Sequence, residues 1–156
     1  MEISFREFVP GDETAFFSLN EAWITAFFSM EEKDIEILSD PVQHILSKGG
    51  AIVIAVGDGR AVGCCALLAM GDGCFEVAKM AVADELRGQG IGRKLLEFVI
   101  GHARALGARR LFLETNRKLQ NAIHLYEVTG FSVVPADRRH ASPYSRSDLA
   151  MEMMLE

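Results

Sequence analysis

Cysteine is scarce in this sequence, and no group of residues has the spacing of a metal site. The three cysteines are Cys64, Cys65 and Cys74, and the first two are adjacent. An odd number in this arrangement argues against a disulfide framework and predicts buried thiols in a reducing compartment. The four histidines are scattered, with no Cys-x-x-Cys or His-x-x-x-His pair, so we expect no bound metal.

The sequence also lacks segments typical of export or of membrane insertion. Its start, residues 1–13, has no basic stretch followed by an apolar one, and no run of about 18 apolar residues occurs. We therefore expect a cytoplasmic protein without a membrane partner. With 156 residues, 49% of them hydrophobic, the chain is long enough for one core and short for two, so residues 1–156 are expected to form one domain.

The net charge of −6 is distributed unevenly along the chain. Residues 1–48 contain ten acidic and three basic side chains, whereas residues 49–156 contain twelve acidic and thirteen basic ones. Residues 87–118 form a basic middle, with eight basic residues against Glu97 and Glu114. An acidic N-terminal part and this basic middle suit a polyanionic cofactor and a cationic acceptor, although two ordinary solvated surfaces explain the charges equally well. The acidic total and the lack of an aromatic and basic stripe argue against nucleic acid as a partner.

Hydrophobic periodicity predicts strands and helices that alternate in a mixed sheet. Four segments have helical spacing, and Asp12 is predicted to cap the first of them. A strand-helix-strand crossover predicts a parallel pair within an otherwise antiparallel sheet. The fold class is therefore α/β (α+β), in the order βααβββαβαββ. The predicted strands are residues 3–8, 51–56, 62–70, 74–82, 110–114, 131–134 and 149–155, and the predicted helices are residues 13–28, 31–38, 91–106 and 120–129, with a further short turn at residues 41–46.

The most informative stretch is the loop Arg87-Gly88-Gln89-Gly90-Ile91-Gly92, which leads from a strand directly into a helix. Glycines leave room for backbone N–H groups to face a ligand. The helix N-terminus adds unpaired N–H groups and the positive end of its dipole. Because Arg93 and Lys94 follow with full positive charges, a pyrophosphate is the expected ligand.

Two common phosphate loops do not fit this spacing. A dinucleotide fingerprint needs glycines spaced G-x-G-x-x-G, and a Walker A loop needs Lys-Ser/Thr where this chain has Lys94-Leu95. The pattern Arg-x-x-Gly-x-Gly, after a strand that ends in Met80-Ala81-Val82, instead resembles the coenzyme A signature of the GNAT superfamily of N-acetyltransferases. A run downstream resembles that superfamily's second signature, N…A…LY…GF, and consists of Asn116, Asn121, Ala122, Tyr126, Gly130 and Phe131.

The resemblance implies the GNAT fold, with a mixed central sheet of about six to seven strands flanked by about four helices. It also implies acetyl-CoA (coenzyme A) as co-substrate, with the pyrophosphate on the glycine loop and the pantetheine arm along the strand backbone. The alternative role for Asn116 and Asn121 is to cap a helix or to stabilise a turn. The implied cofactor-binding residues are Met80, Ala81, Val82, Arg87, Gly88, Gln89, Gly90, Ile91, Gly92, Arg93, Asn116 and Asn121.

Acetyl transfer to an amine requires a base for the ammonium and an acid for the departing thiolate. Glu76 is the candidate base, because burial in an apolar strand would raise its pKa and several superfamily members have a glutamate at this position; a glutamate at an exposed strand start is the alternative. Tyr126 is the candidate acid, since it matches the tyrosine beside the coenzyme sulfur in the superfamily, or else it is a core residue.

Lys79 is the second charged residue of the same strand. A period of two places Lys79 on the face opposite Glu76, while Ala78 and Met80 share the face of Glu76. In that position Lys79 would extend to the sheet edge or pair with Glu114, and it has no predicted catalytic role.

The acceptor site carries no motif of its own. In the superfamily, the connection between the first two helices forms one wall of that site; a solvated helix face is the alternative here. The loop of residues 138–146 is expected to border the site, with arginines that either hold a substrate carboxylate or are solvated. An acidic wall and a basic loop together would suit a zwitterion such as an amino acid or a small peptide. The acidic residues of the first wall are Glu31, Glu32, Asp34 and Glu36.

We therefore expect an acetyl-CoA-dependent N-acetyltransferase that transfers acetyl directly to a primary amine in a ternary complex. The acceptor is a small molecule, a peptide or a protein, and a homodimer is possible because dimers are common in the superfamily. The absence of cysteine from both signatures fits direct transfer. The alternative is a non-catalytic acyl-CoA-binding or sensing module that keeps the cofactor loop and transfers nothing.

Overall fold

Seven strands and five α-helices follow one another along residues 1–155, the part of the chain that the computed structural model describes. Their order confirms the predicted βααβββαβαββ, with one four-residue helix added where a short turn was expected. No helix among these residues is both long and apolar enough to cross a membrane. The strands are β1 (Ile3–Glu7), β2 (Ala51–Gly57), β3 (Arg60–Gly71), β4 (Cys74–Val82), β5 (Arg110–Thr115), β6 (Ser132–Val133) and β7 (Leu149–Met154), and the helices are α1 (Glu13–Phe27), α2 (Glu32–Ser39), α3 (Pro41–His44), α4 (Ile91–Ala105) and α5 (Gln120–Thr129).

All seven strands form one sheet in the order β1-β2-β3-β4-β5-β7-β6. The strands β1 to β4 are antiparallel neighbours, and so are β5, β7 and β6, whereas β4 and β5 are parallel. Two tight turns make the β2–β3–β4 meander, and each has an aspartate and a glycine with positive φ, such as Asp58 at 51° and Gly59 at 76°. These are the residues that tolerate left-handed backbone in two-residue hairpin loops.

The sheet separates two helical layers, with α1 and α2 on one face and α4 and α5 on the other. Side chains of β2 alternate between the layers, so that Ile52 packs with Phe16 of α1 while Val53 packs with Leu95 of α4. For the same reason the adjacent Cys64 and Cys65 lie on opposite faces. Both thiols are fully buried, as predicted, whereas Cys74, for which burial was also predicted, is only half-buried.

The parallel pair β4–β5 is short. Only residues 74–76 of β4 pair with residues 110–112 of β5, although the two strands continue to Val82 and Thr115. Beyond Glu76 the strands diverge, and the β5 side of β4 has no strand partner. A cleft therefore opens at the carboxyl ends of the two strands.

A β-bulge at Lys79 interrupts β4 beside this cleft. The pairing with β3 changes from Ala66↔Ala78 to Cys64↔Ala81, so β4 has one extra residue, and Lys79 has a φ of 53°. The predicted period of two is therefore wrong beyond Ala78. Lys79 faces the α1–α2 layer, as Glu76 does, and Met80 packs in the opposite layer.

The bulge places the Lys79 ammonium in a buried charge cluster with Asp34, Arg146 and Tyr144. Lys79 Nζ donates to Asp34 Oδ1 at 2.8 Å and to the Tyr144 hydroxyl at 2.9 Å. Arg146 donates to both oxygens of Asp34 at 2.6 and 2.7 Å, and the Asp34 side chain is 0% exposed. The cluster joins α2, β4 and the loop of residues 134–148, instead of the Lys79–Glu114 pair that the sequence suggested.

The predicted cap of α1 is also wrong. Asp12 occupies the cap position, but its side chain makes no capping hydrogen bond to the helix. Its carboxylate instead accepts from Arg6 at 2.7 and 3.1 Å and from the backbone N–H of Val9 at 2.8 Å. The ion pair and the turn before the helix therefore compete successfully for the carboxylate.

Replacing Asp34 with alanine should lower the free energy of unfolding by about 3–5 kcal/mol, because it leaves Lys79 and Arg146 buried without their shared anion. Urea denaturation measures this change. Glu32→Ala, on the exposed face of the same helix, is the matched control and should change stability by less than about 0.5 kcal/mol. Equal losses in the two variants would contradict the structural role of Asp34.

Candidate active site

The diverging ends of β4 and β5 form a cleft of about 640 Å³. Its walls are β4, the glycine loop before α4, the start of α5, the end of α1 and the loop of residues 134–148. Of the site residues predicted from the sequence, two do not line it: Gln89 is exposed on the loop, and Arg93 is exposed on α4 beside Glu97. Those that line it are Glu76, Met80, Ala81, Val82, Arg87, Gly88, Gly90, Ile91, Gly92, Asn116, Asn121 and Tyr126.

The glycine loop presents backbone N–H groups at one end of the cleft. Gly88 and Gly90 have φ values of 79° and 77°, and a Cβ at either position would meet no atom within 4 Å, so backbone conformation is what requires glycine there. The first helical hydrogen bond of α4 runs from Lys94 N to Gly90 O. The N–H groups of residues 91–93 therefore lack partners within residues 1–155, and the helix dipole favours an anion beside them.

Arg87 is the charged side chain of the loop that lines the cleft. It is half-exposed, and its guanidinium lies 3.0 Å from the exposed carboxylate of Asp84. An exposed pair of this kind contributes little to stability, so Arg87 can turn toward a bound anion at small cost. The backbone N–H groups and Arg87 together fit a pyrophosphate.

The backbone of residues 77–82 forms the floor of the cleft. Met80, Ala81 and Val82 all line it, on the side of β4 from which β5 has diverged. An extended ligand can add to such an open strand edge by main-chain hydrogen bonds. The arrangement suits the pantetheine arm that the sequence predicted at these residues.

Glu76 lies where the parallel pairing ends, with its side chain in the cleft. No hydrogen bond from residues 1–155 reaches its carboxylate. Burial, and secondarily the nearby charge of Glu114, raise the pKa of Glu76 to about 7, while the Lys79 ammonium acts in the opposite direction. The group is therefore partly ionised at neutral pH and can accept a proton.

Tyr126 of α5 is both a core residue and a cleft residue, so its packing in the core is compatible with the predicted role as an acid. Its ring packs edge-on against Phe131 with centroids 6.1 Å apart, and its side chain also lines the cleft. Burial raises the pKa of Tyr126 above its usual value. The hydroxyl consequently stays protonated at neutral pH and is a hydrogen-bond donor.

The side chains of Asn116 and Asn121 differ in how many hydrogen bonds they make within the protein. The Asn116 amide donates to Arg146 O at 2.8 Å, and its oxygen accepts from Lys118 N at 2.9 Å. Asn116 therefore stabilises a turn. Asn121 is exposed in the first turn of α5, and no side chain caps that helix. Since its side chain makes no hydrogen bond within residues 1–155, Asn121 is available to a ligand, whereas Asn116 holds the loop of residues 134–148.

One part of the cleft, called the acceptor half because it is proposed below to bind the acceptor, contains residues that periodicity did not single out. Trp23, Phe27 and Phe28 recur at helical spacing in the first predicted helix, and this pattern predicts only that they pack on the sheet. Glu114 at the end of β5 and Tyr144 of the loop complete this half. A stripe of aromatic residues does not reveal which of its members face a cleft, so the sequence offers no separate signal for these.

The acidic wall and the basic loop largely pair with one another. Arg146 binds Asp34 and lies 3.4 Å from Glu31, whose other oxygen accepts from Ser145 N at 3.0 Å. Arg139 donates to Ser147, and Arg138 pairs with a glutamate of β7, Glu152. The loop arginines therefore hold protein groups, and this removes the reason for expecting a zwitterionic acceptor.

The four acidic residues predicted for the first wall fall into two classes. Asp34 is buried and Glu31 is half-buried, and both face the loop of residues 134–148. Glu32 and Glu36 are exposed, as a solvated helix face would be. Within residues 1–155, no group of three or more potential metal ligands occurs.

Comparisons with known proteins point to one family. The model of the Acetyltransferase (GNAT) family matches residues 13–131. An IAA acetyltransferase from Azospirillum brasilense is 38% identical over 121 residues, which are 77% of this chain and 72% of that protein.

Solved structures share the fold over nearly the whole chain. A GNAT-family acetyltransferase from Staphylococcus aureus has a TM-score of 0.89 at 19% identity, covering 99% of this chain and 100% of that one. The PaiA N-acetyltransferase from Thermoplasma acidophilum, solved in complex with coenzyme A, has a TM-score of 0.78 at 18% identity over 99% and 100% of the two chains. The fold, the family match and the glycine loop agree, and this chain belongs to the acetyltransferase (GNAT) family.

Proposed function

We propose that this protein is an acetyl-CoA-dependent N-acetyltransferase that moves acetyl directly to a primary amine of a small molecule, a peptide or a protein. The observation that carries the proposal is the placement of Glu76 and Tyr126 in the same cleft as the glycine loop. A base, an acid and an anion-binding loop are the groups that transfer from a thioester to an amine requires. Membership of the acetyltransferase (GNAT) family supports the same reaction.

The cofactor half of the cleft fits a ligand with a pyrophosphate and an extended arm. The N–H groups of residues 91–93 would hold the pyrophosphate, with Arg87 beside them. The open backbone of residues 80–82 would hold the arm as a sheet edge holds an added strand. Asn121, with its free amide, would hydrogen-bond to the same arm.

Acetyl-CoA supplies the acetyl group as an activated thioester. Glu76 takes the proton that the acceptor ammonium must lose before its nitrogen can attack, either directly or through water. A pKa of about 7 suits this role, because the carboxyl is then largely ionised at slightly alkaline pH and more basic than an ordinary glutamate. Lys79 limits the rise of this pKa and so keeps Glu76 available at neutral pH.

Tyr126 donates a proton to the departing thiolate, because its hydroxyl stays protonated. A backbone N–H among residues 80–82 would stabilise the negative charge that develops on the thioester oxygen. The cysteines support direct transfer. Burial raises the pKa of Cys64 to about 12 and also raises the pKa of Cys65, so neither is a thiolate nucleophile.

A non-catalytic acyl-CoA-binding module is the alternative. Such a module would need the glycine loop and the open edge of β4 but neither a base nor an acid. A carboxyl with a pKa near 7 and a free phenol beside the cofactor-binding edge favour the enzyme.

Acetyl-CoA at about 100 times its Kd should stabilise the protein by about 2.7 kcal/mol, and a higher thermal midpoint would show it. Arg87→Ala should raise the Kd about tenfold, because it removes a guanidinium from the pyrophosphate site. Arg104→Ala, an exposed arginine in the last turn of α4, is the matched control and should leave the shift unchanged. No shift with any acyl-CoA would overturn both the cofactor and the enzyme assignment.

The value of kcat/KM should rise with pH through about 7, because Glu76 is an active base only when it has lost its proton. Glu76→Gln should lower kcat/KM about 100-fold or more and remove this limb of the pH profile. Steady-state assays of thiol release between pH 6 and 9 measure both. Glu97→Gln on the exposed face of α4 is the control and should keep the profile.

The thermal midpoint of Glu76→Gln shows whether the variant loses activity because the base is missing or because the fold is damaged. The folded-state pKa of about 7 lies above the unfolded value, so the folded state retains a proton that the unfolded state has released, and stability falls as pH rises toward 7. The thermal midpoint of Glu76→Gln at pH 8 should therefore equal or exceed that of the wild type. A lower midpoint, or an unchanged pH limb, would contradict the role of Glu76.

Tyr126→Phe should bind acetyl-CoA with an unchanged Kd, because the ring keeps its packing, and should turn over amines about 100-fold more slowly, because the proton donor is gone. Calorimetric titration measures the Kd of acetyl-CoA, and an assay of thiol release measures the turnover of amines. Unchanged turnover would contradict the role of Tyr126. If the wild type binds acetyl-CoA and acetylates no amine, the non-catalytic module is the better assignment.

A further inference from the structure

Two carboxylates face the acceptor half of the cleft without a cationic partner. Glu114 accepts from the hydroxyls of Ser142 and Ser147, at 3.0 and 3.2 Å, and takes part in no ion pair within residues 1–155. Glu76 accepts no hydrogen bond from the same part of the chain. Serine hydroxyls orient a carboxylate but do not neutralise it. The negative charge of Glu114, and that of Glu76 in its ionised form, therefore remains available to a ligand.

The cations that border the same space are already engaged. Lys79 and Arg146 share Asp34 as one anion, and Glu31, 3.4 Å from Arg146, balances the second positive charge. Both cations also lie against the Tyr144 ring, with 4.4 and 4.6 Å to its centroid. Lys118 is exposed; its ammonium donates to Phe27 O at 2.9 Å and lies 4.2 Å from the centroid of Phe28. No guanidinium or ammonium among these three points unpaired toward Glu76 and Glu114.

The remaining walls are aromatic. Trp23 lies edge-on to Phe28, with centroids 6.4 Å apart, and its indole N–H donates to Asn20 Oδ1 at 3.2 Å. Asn20 is itself fully buried and donates to Phe16 O, which fixes the orientation of the indole. The Lys118 ammonium on the Phe28 ring also shows that this wall accommodates a primary ammonium on an aromatic face.

We propose that the acceptor site takes a primary amine carried by an apolar or aromatic arm and rejects amines that bear a carboxylate next to the nitrogen, with Glu114 as the specificity-determining residue. The inference rests on the proposed acetyl transfer. It narrows the acceptor from amines in general to cationic amines that have no adjacent negative charge.

The short distance between the amine and the carboxylate of an α-amino acid strengthens the discrimination against such acceptors. The carboxylate of an α-amino acid is separated from its nitrogen by a single carbon, so it must lie wherever the nitrogen attacks. At that place it would meet Glu76 and Glu114, whereas Lys79 and Arg146 are paired with carboxylates and the Lys118 ammonium is held by Phe27 O and the Phe28 ring. Like-charge contact in a partly buried site is unfavourable. An ammonium without the carboxylate is attracted by the same two residues, and its apolar arm can contact Trp23 and Phe28.

Three matched amines test the inference: phenethylamine, phenylalanine and phenylalanine amide. Phenylalanine amide has the bulk of phenylalanine without its negative charge. At saturating acetyl-CoA, kcat/KM for phenethylamine and for the amide should exceed that for phenylalanine by about tenfold or more. Glu114→Gln should reduce this ratio several-fold while the Kd of acetyl-CoA stays the same. Glu127→Gln, an exposed acid outside the cleft, is the matched control and should preserve the ratio.

The outcomes separate the inference from the function on which it rests. Acetylation of phenylalanine as efficiently as phenethylamine, or a ratio that is the same in Glu114→Gln, would overturn the inference and leave the N-acetyltransferase assignment intact. Transfer to other amines but to none of these three would also overturn it, because an aromatic arm would then not be accepted. Binding of acetyl-CoA without transfer to any amine would overturn the proposed function itself.

Discussion

The early separation of β4 from β5 determines where this protein can bind ligands. After three paired positions the strands diverge, which leaves the backbone of residues 77–82 without a neighbour on that side. A buried strand edge without partners is unfavourable in a closed core, so this edge must face either solvent or a ligand. The glycine loop, the N-terminus of α4 and the start of α5 all lie around the resulting opening. The proposed cofactor site and the proposed acceptor site thus share one interruption of the sheet.

Electrostatics divides this opening into two halves with different requirements. The cofactor half presents N–H groups and Arg87, which suit an anion. In the acceptor half, Asp34 lies between two cations, and although burial alone would raise its pKa, hydrogen bonds from Arg146 and Lys79 bring the pKa of Asp34 to about 2. Glu31, 3.4 Å from Arg146, balances the second positive charge of this cluster. Glu76 and Glu114 are then the charges that a substrate would meet in the proposed acceptor site, so the cluster that stabilises the fold also bears on the proposed selection of charge.

Part of the fold and of the candidate site could be predicted from the sequence, because the interactions that determine it are local. A strand followed by Arg-x-x-Gly-x-Gly and a helix needs only neighbouring residues, so the loop and the element order could be predicted. The bulge at Lys79 could not, because one extra residue in β4 depends on its register with β3 and leaves no trace in periodicity. Asp34 resembled a solvated acid, since its partners are 45 and 112 residues away along the chain. Asp12 matched a capping pattern, but Arg6 competed for its carboxylate.

The loop of residues 134–148 is joined to the rest of the acceptor site by charge, and this limits how acceptor preference can change. Tyr144 and Arg146 complete the coordination of Lys79 and Asp34, which belong to other segments. A loop grafted from a relative without these two residues would leave a buried carboxylate and a buried ammonium only partly satisfied. A change of the proposed acceptor preference through this loop would therefore require concerted exchange of α2, the β4 bulge and the loop. Grafting one segment alone would lower the stability of the protein before any change in specificity could be measured.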